Sequence, residues 1–213
     1  MRVVIPETPI GPAPVGREFA RSRLSGGRRP GAVPGDGDDP AGDMTPGRVL
    51  RFLAAALRAR AVVEIGTGDG EKSLSLLRGM VSDGVLTSID LDPVAQRDAR
   101  RVLAEAGMPS GRARLITGLA TEVMARLTEG GYDMVSVGGA KTDYPSYLEL
   151  GLRLLRPGGV IVFAGVRPGQ EREHGRDPES MALRELARRV QEDETLVTVG
   201  LPVGDGLLAI AQS

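Results

Sequence analysis

Between Thr45 and Arg60 the chain reads TPGRVLRFLAAALRAR, with apolar residues at Val49, Leu50, Leu53, Ala54 and Leu57. That spacing lines one face of an α-helix. Thr45 stands at the N-cap position and Pro46 at the first helical position, where a missing N–H is tolerated. Beyond this helix the period changes repeatedly. The apolar runs AVVEIG, VLTSID, ARLIT, DMVSV and VIVFAGV read as strands. Residues 73–80, 93–106, 121–127, 144–155 and 180–190 read as the helices between and after them. Such alternation requires crossover connections, and so a parallel sheet with helices on both faces. The end of the chain departs from it, because TLVTVGL and LLAIAQS are joined by the turn-like PVGDG alone. This predicts an antiparallel hairpin on the sheet's edge. The expected class is α/β, mostly parallel, with an antiparallel C-terminal hairpin.

Residues 1 to about 45 follow neither period. Pro and Gly punctuate them, as in SGGRRPGAVPGDGDDPAGD, and such a segment buries too little apolar surface to offset its ordering entropy. A largely disordered segment over residues 1–45 is expected, with a helical turn or two in REFARSRL, followed by one domain over residues 46–213. Composition narrows the partners. A net charge of −1, 3% aromatic residues and no Trp provide neither a basic field nor a stacking platform for nucleic acid. Zero cysteines exclude disulfides, thiolate catalysis and Cys-ligated zinc, which suits a reducing cytoplasm. The start, MRVVIPETPIGPAP, has no continuous apolar core of a signal peptide, and no later run has the length of a membrane span. The expected place is the cytoplasm, with no membrane partner.

AVVEIGTGDGEKS passes from strand to helix through Gly66, Gly68 and Gly70. Glycines permit tight turns and close ligand approach, and the amides opening a helix are free donors. A dinucleotide fingerprint would require its third glycine at position 71, which is Glu71; the pattern here is E-x-G-x-G-x-G. With Glu64 at the strand end, the loop suits a ligand bearing an ammonium group better than a pyrophosphate. The next strand ends in SIDLDP, placing Asp90 where an acid accepts hydrogen bonds from ribose hydroxyls. A nucleoside with an amino-acid tail fits both acids, which describes S-adenosyl-L-methionine.

From about Thr45 onward the chain resembles the bacterial O-methyltransferases related to catechol and caffeoyl-CoA O-methyltransferases. The matching text is VVEIGTGDG, GVLTSIDLDP, AEAGMP, YPSYLELGLRLLRPGGVIV and LPVGDGLLAIA. The resemblance implies a Rossmann-like class I methyltransferase fold with seven strands, and commonly a homodimer. It implies that Glu64, Gly66, Thr67, Gly68, Gly70 and Ser73 cradle the methionine portion and that Asp90 with Leu91 holds the ribose. Gly138 borders the same site. Lys72 stands where the family usually has a serine reaching the cofactor carboxylate, so it either pairs with that carboxylate or is a solvated helix residue. Leu119 stands where an Asp is common near the adenine, leaving backbone groups around Ala120 to read the ring.

Metal-dependent members hold a divalent cation through an Asp at one strand end and Asp-Asn at the next. Here those positions are Gly138, Ala164 and Gly165. A hard cation needs several oxygen ligands, and Asp143 is the one nearby acid, so a divalent metal is not expected. Positioning alone can supply roughly 7–11 kcal/mol of a displacement barrier, and acid-base assistance a factor of about 10²–10⁴. Lys141 matches the family's lysine often assigned as base; a surface lysine is the alternative. Tyr144 and Phe163 are expected to wall the acceptor, and Tyr147 to lie in the core. His174 is read as a solvated loop residue or a base, and Arg184, Arg188 and Arg189 as an exposed helix face. Two functions follow: an O-methyltransferase acting on a small hydroxylated molecule without metal, or a non-catalytic cofactor-binding protein on the same fold.

Overall fold

The computed structural model describes residues 44–167, 169 and 175–212. Of the expected disorder over residues 1–45, residues 1–43 lie outside the described residues, as do the helical turn expected in REFARSRL and His174. Helix α1 (Pro46–Ala56) begins as the sequence predicts, with Thr45 Oγ1 accepting the N–H of Arg48 at 3.3 Å and Pro46 at the start. Its stripe buries Leu50 and Ala54, while Val49, Leu53 and Leu57 pack half-buried beside them.

The chain then alternates through β1 (Ala61–Ile65), α2 (Glu71–Gly79), β2 (Val85–Asp90), α3 (Pro93–Glu105), β3 (Ala113–Thr117) and α4 (Ala120–Met124). It continues through β4 (Tyr132–Val137), α5 (Tyr144–Leu154), β5 (Leu155–Ala164), α6 (Pro178–Glu192), β6 (Leu196–Leu201) and β7 (Leu207–Gln212). The seven strands lie in the order β3-β2-β1-β4-β5-β7-β6. The first five are mutually parallel, and β7 runs antiparallel to both β5 and β6. The expected α/β sheet with its hairpin at the edge is the observed one. Several boundaries shift by one to three residues, and β5 more: it starts at Leu155, before VIVFAGV, because Leu155 already pairs with Tyr132. A register shift then absorbs Arg156 to Gly159 before Val160 pairs with Met134.

Alternation along each strand feeds two cores. Val63, Val135 and Ile161 point toward α4, α5 and α6, whereas Val62, Met134 and Val162 point toward α1, α2 and α3. After β1 the chain builds outward to β3, then crosses back to place β4 on the other side of β1. The loops following β1 and β4 therefore diverge to opposite faces, which opens a crevice at the strands' carboxyl ends.

Asp133 secures the opposite end of the sheet. One carboxylate oxygen accepts the N–H groups of Arg60 and Ala61 at 2.7 and 2.9 Å, and the other accepts Arg156 Nε at 2.6 Å. Burial raises the Asp133 pKa, but these donors and the arginine charge outweigh it and hold the group below its ordinary value. A depressed carboxylate contributes stability above the unfolded pKa and loses it as pH falls through the folded one. Replacing Asp133 with Ala should lower the unfolding free energy by about 2–3 kcal/mol at neutral pH, measured by urea denaturation. The gap between variant and parent should close as pH drops below 3.8.

Candidate active site

The loop after β1 rests on a chain of buried polar groups. Glu64, the fourth residue of β1, is 1% exposed, and its Oε2 accepts the hydroxyls of Ser73 and Ser88, the latter at 2.7 Å. Ser88 spends its proton on Glu64, so the 2.7 Å contact between Thr67 and Ser88 is donated by Thr67. Gln96 Nε2 in turn donates to Thr67 Oγ1 at 3.0 Å and to the Ile116 carbonyl at 3.1 Å. One side chain from each of β1, β2, α2 and α3 thus joins a single hydrogen-bonded chain with the loop's own threonine. Burial pushes the Glu64 carboxyl above its ordinary pKa, while the two serine hydroxyls and the Lys72 charge pull it back.

Above this chain the backbone is shaped by glycine. Gly66 has φ +82°, and a Cβ there would lie 2.8 Å from the Gly138 carbonyl carbon and oxygen. Loop and β4 end touch, and no side chain fits between them. Gly68 has φ +57° with nothing within 4 Å of a built Cβ, so its surface faces open space. Asp90 Oδ2 accepts the Gly68 N–H at 3.2 Å, tying the loop to the end of β2.

The crevice between these parts is a cleft of about 330 Å³. One end is bordered by Asp90, Leu91, Gly118, Leu119 and Ala120, the other by Gly138, Ala140, Asp143 and Tyr147, with Gly66, Gly68 and Lys72 between. Leu91 and Leu119 are large apolar side chains that stay 63% and 49% exposed there. An acid beside exposed apolar walls is chemistry suited to a ribose and a planar base.

Eight of the expected residues line this cleft: Gly66, Gly68, Lys72, Asp90, Leu91, Leu119, Ala120 and Gly138. Others stand behind it. Glu64, Thr67 and Ser73 are buried in the hydrogen-bonded chain beneath the cleft. Gly70 opens α2 against Ala99, where a Cβ would come within 2.6 Å of the Ala99 Cα. These four support the loop and do not line the cleft, because the polar groups of β1 and α2 are already turned toward one another. The expectation that they cradle a ligand directly is corrected to this extent.

One of the two tyrosines departs from its expected place. Tyr144 is 1% exposed, donates to the Ala164 carbonyl at 2.8 Å, and packs with its ring centroid 5.0 Å from that of the fully buried Phe163. Neither of them walls an acceptor, as the register of α5 turns Tyr144 into the core. Tyr147 is buried in the core as expected, and its edge also borders the cleft, where it donates to Asp143 Oδ2 at 3.3 Å. Burial and the Asp143 charge push its hydroxyl up to about 12. The sequence did contain a signal, since Asp143 and Tyr147 are four residues apart on one helical face. Lys141 sits in the single turn after β4, outside the cleft lining, with its Cε 3.0 Å from where a Gly165 Cβ would be. Arg188 and Arg189 pair with Glu185 along α6, in keeping with an exposed ion-paired face.

The residues do not fit a divalent cation at the β4 and β5 ends. Gly138, Ala164 and Gly165 bring no side-chain oxygen, and the Ala164 carbonyl already accepts from Tyr144. Lysine side chains crowd both glycines: the Lys72 ammonium lies 2.5 Å from a built Gly138 Cβ, and Lys141 reaches Gly165. A hard cation requires several oxygens and is repelled by ammonium groups.

Comparison with known proteins points to one family. Residues 42–212 match the family model described as O-methyltransferase. A protein of Mycolicibacterium vanbaalenii, whose O-methyltransferase assignment is provisional, is 48% identical over 181 residues, covering 82% of this chain and 79% of its own. Among solved structures, the Bacillus cereus O-methyltransferase in complex with SAH is similar with a TM-score of 0.72 and 26% identity, over 82% of this chain and 84% of that one. The O-methyltransferase TomG of Streptomyces achromogenes, involved in tomaymycin synthesis and solved with SAM, is similar with a TM-score of 0.72 and 28% identity, over 78% and 79%.

The raised Glu64 pKa has a measurable sign. An acid whose folded pKa is raised favours the fold while protonated and loses that contribution as pH rises from its unfolded value, 4.5, through the folded one. Glu64→Gln keeps an acceptor for both serine hydroxyls and removes the titration. Thermal melts at pH 5 and pH 8 should show the variant gaining on the parent as pH rises; a constant difference would contradict the assignment.

Proposed function

This chain belongs to the O-methyltransferase family, and from that premise we propose how its own residues carry out the reaction. It is an S-adenosylmethionine-dependent O-methyltransferase with the class I methyltransferase fold and a small-molecule acceptor. The observation that carries the finer reading is the cleft, in which Asp90, the exposed Leu91 and Leu119, and the open face of Gly68 lie side by side.

In this reading Asp90 accepts the ribose hydroxyls while its other oxygen stays engaged with the Asp92 N–H at 2.9 Å, which fixes the carboxylate. Leu91 and Leu119 cover the adenine, and backbone groups at Ala120 read its edge. Bound S-adenosylmethionine supplies a sulfonium methyl that an acceptor oxygen displaces in line, with the thioether leaving. The chain aligns that oxygen at the end bordered by Gly138, Ala140, Asp143 and Tyr147, and Lys141, on the turn beside it, takes the hydroxyl proton in its neutral amine form and is left as the ammonium. No divalent metal takes part; an acceptor whose hydroxyl is already acidic needs little beyond alignment. The acceptor is a small hydroxylated molecule, and the working unit is the domain over residues 46–213. The reading further places the protein in the cytoplasm as a homodimer, supported by a sequence without cysteine and by the family resemblance.

Transfer of labelled methyl to a panel of small phenols and other hydroxylated acceptors, with chelator or with Mg²⁺, tests the chemistry. Equal rates in both are expected, and strict cation dependence would overturn the metal-free reading. Asp90→Ala should weaken S-adenosylhomocysteine binding by about 10–100-fold, the loss of one or two charge-assisted hydrogen bonds. Unchanged affinity in calorimetry would remove the ribose role of Asp90.

A further inference from the structure

Tyr144 stands behind the cleft, at the first residue of α5, and bonds in two directions. Its backbone N–H donates to the Lys141 carbonyl and closes the single turn over residues 141–143. Its hydroxyl donates at 2.8 Å to the carbonyl of Ala164, the last residue of β5. The next residue is Gly165, and the Lys141 side chain lies over it, with Cε 3.0 Å and Nζ 3.5 Å from where a Cβ would be. These contacts close a ring. It runs from Lys141 along the turn to Tyr144, through the hydroxyl to Ala164, on to Gly165, and back across space to Lys141.

Both sides of the ring are anchored. Gly165 and Val166 donate their N–H groups to the Gly206 carbonyl at 2.8 and 3.3 Å, which holds the end of β5 to the edge hairpin. The Tyr144 ring packs on the buried ring of Phe163. Burial pushes the Tyr144 hydroxyl up to about 12, so it stays a donor throughout the neutral range. The turn itself buries none of its own residues, and Tyr144 is its first tie to the core. A lysine on a flexible stem is aimed only as well as the backbone that carries it. We propose that Tyr144 is a positioning residue: its hydroxyl, tied to the Ala164 carbonyl, holds the turn so that Lys141 reaches the acceptor hydroxyl. The proposal rests on the reading of Lys141 as the base. It gives Tyr144 a part in methyl transfer without contact with the acceptor. An acceptor that is already ionised has no proton for Lys141 to take, whereas a weakly acidic one does, so the two respond differently to loss of the hydroxyl.

Tyr144→Phe keeps the ring and its packing and deletes the hydroxyl. Transfer of labelled methyl to ring-substituted phenols of graded acidity, at saturating S-adenosylmethionine, reads the effect. Tyr144→Phe should lower kcat by about 10–100-fold for the least acidic phenol and by progressively less as acidity rises. In a Lys141→Met background the same substitution should add no further loss. Phe163→Leu disturbs the same packing and spares the hydroxyl, so it should leave the dependence on acidity as in the parent. On protein without cofactor, acetylation of Lys141 by acetic anhydride, followed by mass spectrometry, should be faster in Tyr144→Phe. Equal loss for all phenols, an undiminished loss in the Lys141→Met background, or acetylation at the parental rate would overturn the proposal. So would Phe163→Leu reproducing the steeper dependence. A parent that methylates no phenol, or a Lys141→Met variant as active as the parent toward the least acidic one, would instead overturn the reading on which the proposal rests.

Discussion

Everything at the functional end of the sheet depends on one buried carboxyl group, Glu64, and the hydroxyls turned toward it. A carboxyl group in the middle of a parallel sheet is costly unless hydrogen bonds satisfy it. Ser73 and Ser88 do so on one oxygen, and Thr67 and Gln96 extend the chain to α3 and β3. Because these groups come from four elements, the glycine loop cannot move without breaking several buried hydrogen bonds at once. That rigidity holds Gly66 against the Gly138 carbonyl and keeps the face of Gly68 open. A preorganised loop spends little free energy on ordering when a ligand arrives.

At the adjacent strand ends, two glycines and two lysines form complementary pairs. Lys72 covers Gly138 and Lys141 covers Gly165, so each missing side chain is matched by an ammonium-bearing one. In the resembling metal-dependent enzymes these strand ends carry carboxylates around a cation. Here the charges are inverted, and positive charge is supplied by the chain itself.

Much of this was legible in the sequence. The alternation of strand and helix periods specified the sheet, and PVGDG between two apolar runs specified the edge hairpin, because both are local signals with few alternatives. Asp90 and the cleft-lining glycines were legible for the same reason: a motif on a strand-to-helix turn has one place to be. Side-chain direction was not. Glu64 and Ser73 read as ligand contacts because their spacing does not reveal that they face each other. Tyr144 joins Tyr147 in the core because α5 begins only after a single turn over residues 141–143, which sets the helix phase. The seat of Lys72 on Gly138 joins residues far apart in the chain, and no local pattern contains it.

A crystal structure of the full chain grown with S-adenosylhomocysteine and Mn²⁺, with anomalous data at the manganese edge, tests the account most directly. The account predicts the nucleoside in the cleft, its ribose hydroxyls on Asp90, and no manganese peak beside Gly138, Ala164 or Gly165. A manganese ion at those strand ends, or a nucleoside bound away from Asp90 and Gly68, would contradict it.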